Sequence, residues 1–475
     1  MRNKLRNFGL IGAGMVVGVM ISLNFSAIGK DEPKTVGGLP VEELRSFADV
    51  FNAIKQGYVE PVDDKKLLTY AISGMLSNLD PHSNYLDADA FKDLQVSTQG
   101  EFGGLGLEVG MEDGIVKVVA PIEDTPAWRA GIKPGDYIIK LDDTVVRGMT
   151  LSEAVKRMRG KPKTPIKLTV LRKGESKPLE ITVIRDKIKV TSVKSKLIEP
   201  GFGYVRVTQF QEETTADLVK HLDRLYKDKE NKGEPLRGLV LDLRNDPGGL
   251  LNAAVGVSAA FLPAKTLVVS TDGRTDDAKR RYVAAAEDYQ RGRGDVLHDL
   301  NPAVRNVPLV VLVNGGSASA SEIVSGALQD HKRAIILGTQ TFGKGSVQTV
   351  LPLSANTAIK LTTARYYTPS GRSIQAKGIV PDVIVQETPN GGVNHDRMRE
   401  ADLERHLEND KDAAATPAPA TPAKEPSKPA PKKGKDKAPE GDEENVKPLE
   451  YASKDDYQLG QAMNLLKALS IVQKK

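Results

Sequence analysis

The chain is organised around residues 310–323, which read VVLVNGGSASASEI. The aliphatic run that ends at Val313 is typical of a strand buried in a parallel sheet. The Asn-Gly-Gly turn at 314–316 breaks this run, and helical spacing of apolar residues begins at Glu322. A strand, a glycine turn and a helix start in this order expose the Ser319 hydroxyl beside backbone N–H groups. Those groups lie at the positive end of the helix dipole, where an oxyanion is stabilised.

A serine at a helix start is usually a cap, so a second feature is needed to indicate catalysis. Lys344 lies between Gly343 and Gly345, in a loop after the next aliphatic run. The flanking glycines allow the lysine to approach a neighbouring backbone closely, and the loss of water lowers an ammonium pKa. A serine with a neutral lysine is a known nucleophile–base pair. Glu322 is either an accessory polar group or a carboxylate that favours the helix start.

The segment 316–322, followed by TFGKGSVQ at 341–348, resembles the carboxyl-terminal processing peptidases. These are Ser/Lys proteases with an inserted PDZ domain. The resemblance implies that Ser319 is the nucleophile, Lys344 the general base and Gln348 the residue that orients the lysine. No cofactor is implied.

The resemblance also assigns the oxyanion hole to two backbone N–H groups. One belongs to Gly249, in the turn that ends the buried strand of residues 238–244, and the other to Ala320, directly after the nucleophile. Glycine suits the first position because no side chain blocks the approach of a substrate carbonyl. A tight turn would also require glycine there, and this requirement does not exclude the catalytic role.

Residues 96–186 resemble a PDZ domain, with FGGLGLEV at 102–109 and AGIKPGDYII at 130–139 as the main signals. A glycine loop of this kind directs backbone N–H groups at a chain-terminal carboxylate, while an exposed strand edge adds the peptide as a further strand. Arg159 resembles a PDZ arginine that in relatives helps to hold the active arrangement. The residues expected to bind the peptide are Gly103, Gly104, Leu105, Gly106 and Leu107.

The two ends of the chain have distinct patterns. Basic residues precede an apolar stretch at 8–28, which predicts an export signal cut after Gly29 or a membrane anchor, and hence a periplasmic protein. Residues 44–59 and 63–79 predict two amphipathic helices. The family resemblance implies that these helices help subunits associate, and a helical cap on the core fits the sequence equally well. At the other end, a helical stripe at 457–473 either docks on a sister subunit or adaptor or folds back on its own domain.

These patterns predict a multidomain protein of the α+β or α/β class. A helical N-terminal subdomain and an inserted PDZ domain accompany a mixed-sheet peptidase core with flanking helices. Residues 271–307 are charged and aperiodic and are expected to form a long surface excursion. The expected segments are 1–29 (signal or anchor), 40–95 (helical subdomain), 96–186 (PDZ), 187–390 (peptidase core), 411–447 (disordered Ala/Pro/Lys-rich linker) and 448–475 (C-terminal amphipathic helix).

Composition excludes several other classes of protein. A net charge of +5 over 475 residues gives no reason to expect nucleic-acid binding. The chain has no cysteine, which excludes disulfides and thiolate chemistry, and its six histidines show no metal-binding spacing, so no metal is expected.

Three alternative functions can be compared with the peptidase. The loop 338–345 is close to a phosphate-binding P-loop, but Gly345 replaces the Ser or Thr that holds magnesium and a strand follows instead of a helix. The sequence does not contain the Gly-x-Ser-x-Gly turn that a Ser-His-Asp hydrolase requires. A PDZ adaptor with an inactive or partner-activated peptidase domain is the remaining rival. The sequence favours an exported, ATP-independent, oligomeric serine endopeptidase that recognises C-terminal tails.

Overall fold

A computed structural model describes residues 35–36, 39–112, 114–122, 124–231, 234–290, 292, 294–389, 398–413 and 452–472. The chain divides into two compact units, Met1–Met75 and Leu76–Lys475. The expected signal or anchor at 1–29 and most of the expected linker at 411–447 lie outside the described residues. No helix in the described ranges has the length and apolarity that a bilayer crossing requires.

The first unit is mainly helical. Two short strands pair with each other, and two helices follow within three residues of the expected bounds. The first helix leaves a row of apolar side chains exposed, with Phe47 47% and Val50 60% accessible. Its elements are β1 (Thr35–Val36), β2 (Leu39–Pro40), α1 (Val41–Gly57) and α2 (Asp64–Ser77), the last of which continues beyond Met75.

The second unit begins with a segment that differs from expectation. The sequence grouped residues 40–95 as one helical subdomain, whereas residues from Leu76 onward belong to the unit that contains the peptidase core. The reason is a long-range pairing: a short strand, Asn84–Leu86, pairs with Ala358–Lys360 in the core. The elements before the PDZ domain are β3 (Asn84–Leu86), α3 (Ala88–Gln99) and β4 (Glu101–Gly104).

The PDZ domain is a small sheet that encloses its own apolar core. Its strands lie in the order β10-β9-β7-β6-β5, with β8 on β7, so that β5 is an edge. The chain enters along β4 and leaves along β11, and these two strands pair with each other. The elements are β5 (Leu107–Glu112), β6 (Ile115–Pro121), α4 (Pro126–Arg129), β7 (Tyr137–Leu141), β8 (Thr144–Val145), α5 (Leu151–Met158), β9 (Pro165–Leu171), β10 (Leu179–Ile184) and β11 (Asp186–Lys189).

The peptidase core contains two sheets. The first is mixed, in the order β12-β13-β14-β17-β18-β21; the β12–β13 pair is antiparallel and the other pairs are parallel. The second has the order β16-β15-β20-β19, with β3 on β20. Strands β14 and β17 are buried at every residue, as their unbroken aliphatic sequences predict.

The core elements follow in chain order. They are β12 (Val193–Glu199), β13 (Phe202–Val207), α6 (Thr214–Tyr226), β14 (Gly238–Asp242), α7 (Leu251–Phe261), β15 (Leu267–Gly273), β16 (Arg280–Val283), α8 (Ala286–Tyr289), β17 (Leu309–Val313), α9 (Ala320–Asp330), β18 (Ile335–Gly338), β19 (Ser346–Pro352), β20 (Ala358–Tyr367), β21 (Val383–Ile384), α10 (Asp410–Ala413) and α11 (Tyr457–Val472).

The expected surface excursion at 271–307 is wrong in part. Residues up to Gly273 complete β15, β16 pairs with it, and Leu297, Leu300 and Val304 are buried in the main core. Leu297, Leu300 and Val304 are spaced as i, i+3 and i+7, a helical signal that the charged residues around them obscured.

The C-terminal helix folds back on its own unit. Leu459, Ala462, Met463 and Leu466 of α11 are buried in one cluster with residues of β13, β14, β17 and β18. Helices α6, α7 and α9 contribute to the cluster that contains the other side chains of these strands. Of the two alternatives for this helix, the structure has the fold-back on its own domain.

Candidate active site

The turn between β17 and α9 presents Ser319. Its backbone has φ +55° and ψ −111°, a conformation that residues other than glycine rarely adopt. Holding a non-glycine residue there costs roughly 1–3 kcal/mol and is common where a side chain must project into a site. Ser319 is half-buried, whereas its neighbours Ser317 and Ser321 are fully buried. Their hydroxyls donate to the carbonyls of Leu243 and Asp246.

The loop between β18 and β19 carries Lys344, and its glycines pack tightly against another segment of the chain. A Cβ atom added to Gly345 would lie 2.4 Å from the backbone nitrogen of Gln375. Gly343 has φ +103° and faces the backbone of residues 376–378 at 3.1–3.2 Å. The expectation that these glycines permit close backbone packing around the lysine is therefore confirmed.

Burial, together with the positive charge of Lys360, lowers the pKa of Lys344 from 10.5 to about 8. The carboxylates of Glu400, Glu322 and Asp80 act in the opposite direction. A substantial fraction of a lysine with this pKa is neutral in mildly alkaline solution, as a general base requires.

The carboxylate of Glu322 joins the nucleophile turn to the lysine loop. Its Oε2 accepts hydrogen bonds from the backbone N–H groups of Ser319 (2.8 Å) and Lys344 (3.0 Å). Its Oε1 accepts from the Gly343 N–H (2.8 Å) and the Thr341 hydroxyl (2.5 Å). Glu322 is fully buried, and desolvation raises its pKa to about 7 against the effect of these bonds.

A buried tyrosine makes a second bridge between the same two residues. The Tyr366 hydroxyl contacts the backbone carbonyl oxygens of Ser319 and Lys344. Burial raises its pKa well above the ordinary value, so the hydroxyl remains a neutral donor. Glu322 and Tyr366 thus fix the main chains of both proposed catalytic residues.

The side chains of Ser319 and Lys344 are not hydrogen-bonded to each other in the described structure. Proton transfer therefore requires the hydroxyl and the amine to approach each other from these positions. Such bonds often tighten only when substrate is bound. The Gln348 amide donates to Ser346 (3.0 Å) and Thr362 (3.2 Å), and no bond to Lys344 is described for it.

The turn after β14 lies directly against the nucleophile. A Cβ atom on Gly248 would lie 2.9 Å from Ser319 Cβ and 2.9 Å from the backbone nitrogen of Ala320. Among the described residues, neither the Gly249 N–H nor the Ala320 N–H has a hydrogen-bond partner. The structure thus places two free donors on the two loops that meet at Ser319.

Asp246 holds these two loops together. Its carbonyl accepts from the Ala318 N–H (3.0 Å) and its Oδ1 from the Gly248 N–H (2.8 Å), while its buried Oδ2 has no partner. Burial raises the pKa of this carboxyl group from 3.8 to about 8.

The expected peptide-binding residues of the PDZ domain divide into two groups. Gly103 and Gly104 belong to β4 and pair with β11, whereas Leu105 and Gly106 lie between strands. No hydrogen bond is described for the N–H groups of Leu105 and Gly106, and Leu107 begins the edge strand β5. These features are those of a carboxylate loop beside an edge that can accept a peptide strand.

Arg159 lies at the end of α5, where it joins the PDZ domain to the segment before it. Its Nη1 donates to Asp93 of α3 (2.8 Å), and its guanidinium lies 5.0 Å from the centroid of the Phe102 ring. Arg159 thus contacts α3 and the entry strand β4. None of its described contacts is to the Ser319–Lys344 cluster.

Sequence reasoning missed several residues of the site. Tyr366, Glu400 and Asp80 come from a strand and two connecting segments remote in sequence from Ser319, and no spacing marks them. Asp246 lies in the turn after the buried strand β14, and no local pattern marks its carboxylate. Glu322 had a usable signal, because a glutamate three residues after a helix-starting serine can bond back to its N–H. No group of three or more potential metal ligands occurs in the described ranges.

Three parts of the chain match models of known protein families. Residues 201–385 match the model of peptidase family S41, residues 103–183 match a PDZ domain, and residues 16–90 match the activating protease CtpB N-terminal domain. The carboxy-terminal-processing protease of Bartonella bacilliformis is 46% identical over 402 residues, which cover 84% of this chain and 88% of that protein.

More distant relatives are similar over most of the chain. The carboxy-terminal processing protease CtpA of Bacillus subtilis is 34% identical over 388 residues, 81% of this chain and 78% of that protein. A solved structure, the photosystem II D1 C-terminal processing protease, is 31% identical, covers 72% of this chain and 93% of that one, and has a TM-score of 0.39. The identity and coverage of the sequence relatives establish that the chain is a serine-type peptidase of family S41 and belongs to the carboxy-terminal processing proteases.

Proposed function

We propose that the chain is an exported endopeptidase that recognises exposed C-terminal tails through its PDZ domain and cleaves with a Ser319–Lys344 dyad, without ATP. The observation that carries the dyad is the shared Glu322 carboxylate, which binds the N–H groups of both residues through one oxygen. Such a link sets two loops in a fixed relation, as a nucleophile and its base require.

In the proposed reaction, neutral Lys344 accepts the Ser319 proton as the serine oxygen attacks the scissile carbonyl. The same amine then donates the proton to the leaving nitrogen, and water hydrolyses the acyl-enzyme. The free N–H groups of Gly249 and Ala320 would bind the negative oxygen of the tetrahedral intermediate. A single donor of this type is worth roughly 10²–10³ in turnover.

The position of Gln348 supports a more indirect part in this reaction than direct contact with the base. Its amide bonds Ser346 and Thr362, and the Thr362 hydroxyl in turn donates to Asp80 (3.0 Å). Asp80 is one of the carboxylates whose charge acts on Lys344. We propose that Gln348 orients the lysine indirectly, through Thr362 and Asp80.

Substrate selection by the tail is supported by the PDZ matches and by the free N–H groups of Leu105 and Gly106 next to the edge strand β5. Association into a homo-oligomer is supported by the exposed apolar side chains of α1. An adaptor that binds α11 has less support, because the apolar stripe of this helix is buried on its own sheet. Export to the periplasm rests on the basic and apolar pattern of residues 1–29 alone.

The dyad is tested by cleavage of a denatured protein and of a fluorogenic peptide with an apolar C-terminus, without added nucleotide. Ser319→Ala and Lys344→Ala are expected to abolish cleavage, whereas Ser317→Ala is expected to retain it. Full activity in both dyad variants would contradict the assignment, and absence of cleavage in the unaltered protein with intact tail binding would favour the adaptor.

A further inference from the structure

The C-terminal helix begins at a buried arginine next to the oxyanion turn. Asp456, directly before α11, accepts from Arg244 Nη1 (2.9 Å) and Nη2 (2.6 Å), and Gln458 accepts from Nη1 (3.1 Å). On the opposite side, Asp242 accepts from Arg244 Nε (3.0 Å) and Nη2 (2.6 Å). Both acceptors of Nη1 therefore come from the C-terminal segment.

Arg244 leads directly into the turn that carries Gly249. The Oδ1 of Asp242 that accepts from the arginine side chain also accepts from the Arg244 backbone N–H (2.9 Å). The next residue, Asn245, has φ +57°. One carboxylate thus couples the position of the guanidinium to the first residue of the turn. A shift of the side chain is transmitted to the backbone that carries the oxyanion donor.

The attachment of α11 has an apolar and a polar part with different energetics. Apolar residues such as Leu459 and Leu466 bury their side chains against the sheet, and the removal of this apolar surface from water stabilises the docked helix. The ion cluster of Asp242, Arg244 and Asp456 is also buried, and a buried ion pair contributes little net stability because desolvation offsets the attraction. Its effect is therefore to fix geometry.

We propose that Asp456 is a positioning residue for the oxyanion turn, so that docking of the C-terminal helix adjusts turnover at Ser319. Asp456 acts through Arg244, which lies 212 residues earlier in the chain. The inference rests on the proposed function. It requires a fall in the rate of the chemical step when the cluster is broken, without a change in the affinity for peptide tails.

The test compares two variants of the full chain on the same helix. Asp456→Asn removes the charge while it keeps the size of the side chain. Leu459→Ala weakens apolar docking and keeps the backbone N–H that donates to Asp456 Oδ1 (3.0 Å). The measurements are kcat and KM for a tailed peptide well below the melting temperature, and inhibition by a peptide boronate. The boronate forms a tetrahedral adduct with a catalytic serine.

Asp456→Asn is expected to lower kcat about tenfold, less than the roughly 10²-fold that a 1 Å misplacement costs. KM is expected to change less than twofold, and boronate binding to weaken in proportion to kcat. Leu459→Ala is expected to lower the melting temperature more than Asp456→Asn does and to keep kcat, because truncation of a buried leucine leaves a cavity without moving the ion cluster. Asp456→Glu is expected to restore part of kcat.

Equal loss of kcat in Asp456→Asn and Leu459→Ala would show that the helix acts through stability alone and would overturn the proposal, as would unchanged kcat in Asp456→Asn. If Asp456→Asn does not fold, Gln458→Ala, which removes one acceptor of Arg244, is judged by the same comparison. Failure of the proposed function itself would be recognised separately, by cleavage that survives Ser319→Ala.

Discussion

Replacement of Glu322 by glutamine would test the central link of the site with a change of one atom. The carboxylate accepts four hydrogen bonds, two at each oxygen. An amide has one oxygen, so its NH₂ group must face two former donors. The least costly orientation places the NH₂ toward Thr341, whose hydroxyl can turn to accept, and leaves the Gly343 N–H without an acceptor.

The expected loss follows from these contacts. One unsatisfied buried donor costs about 1–3 kcal/mol, and the bonds that remain weaken because their acceptor is no longer charged. We expect an overall loss of about 2–4 kcal/mol in the free energy of unfolding, within a total of roughly 5–15 kcal/mol for a typical domain. Glu322→Ala would leave all four donors without an acceptor and would endanger folding, so the amide variant is the informative one.

Activity is expected to fall further than stability suggests. Because the amide no longer holds both loops equally, the Lys344 loop shifts relative to Ser319, and a misplacement near 1 Å reduces turnover by about 10². The assay is kcat/KM for a tailed peptide, with thermal unfolding measured on the same samples and exposed Glu175→Gln as the control. Activity of Glu322→Gln within twofold of the unaltered protein would refute the view that this carboxylate positions the dyad.

Three further predictions concern the same site. If the neutral Lys344 amine is the base, as proposed, kcat/KM is expected to rise as pH increases through about 8, the lowered pKa of this lysine. A profile that is flat from about pH 6 to 10 would contradict a lysine base. Gly248→Ala is expected to lower activity at least tenfold, because its Cβ would lie 2.7 Å from the Ala318 carbonyl and its φ of +96° costs a non-glycine residue about 1–3 kcal/mol; normal kinetics would show that the turn has room to move. The folded-state pKa of Asp246 lies above its unfolded value, so its contribution to stability is full below pH 3.8 and is lost as pH rises through about 8. Asp246→Asn is therefore expected to flatten the fall in melting temperature across this range, and an unchanged slope would assign the pH dependence to other groups.

Local patterns were sufficient for much of the architecture. Strand β17, its glycine turn and helix α9 follow from an unbroken aliphatic run and a change to helical spacing, and both features are readable within a dozen residues. The glycines beside Lys344 indicated close backbone packing, because they too form a pattern within a short stretch of sequence. The α11 stripe predicted an amphipathic helix and left its partner open.

Other features depend on contacts that no local pattern encodes. The burial of Leu297, Leu300 and Val304 in the core and the pairing of β3 with β20 join segments that are distant in sequence. The hydrogen bonds between Asp456 and Arg244 also join two segments that are distant in sequence. A buried polar side chain finds its partner only when the sheets and helices have packed, so its identity cannot be read from spacing.

The sequence by itself determined the protease class, the PDZ insertion and the two residues proposed for the dyad, because each depends on short runs with a fixed chemical requirement. Only the tertiary structure decided what holds the two residues of the proposed dyad in position. Glu322 and Lys344 lie 22 residues apart, and Tyr366 lies 47 residues from Ser319, yet they meet at one point. The buried N–H groups of Ser319 and Lys344 lie on separate loops and need an acceptor. The carboxylate of Glu322 reaches both of them only after the two loops have packed together.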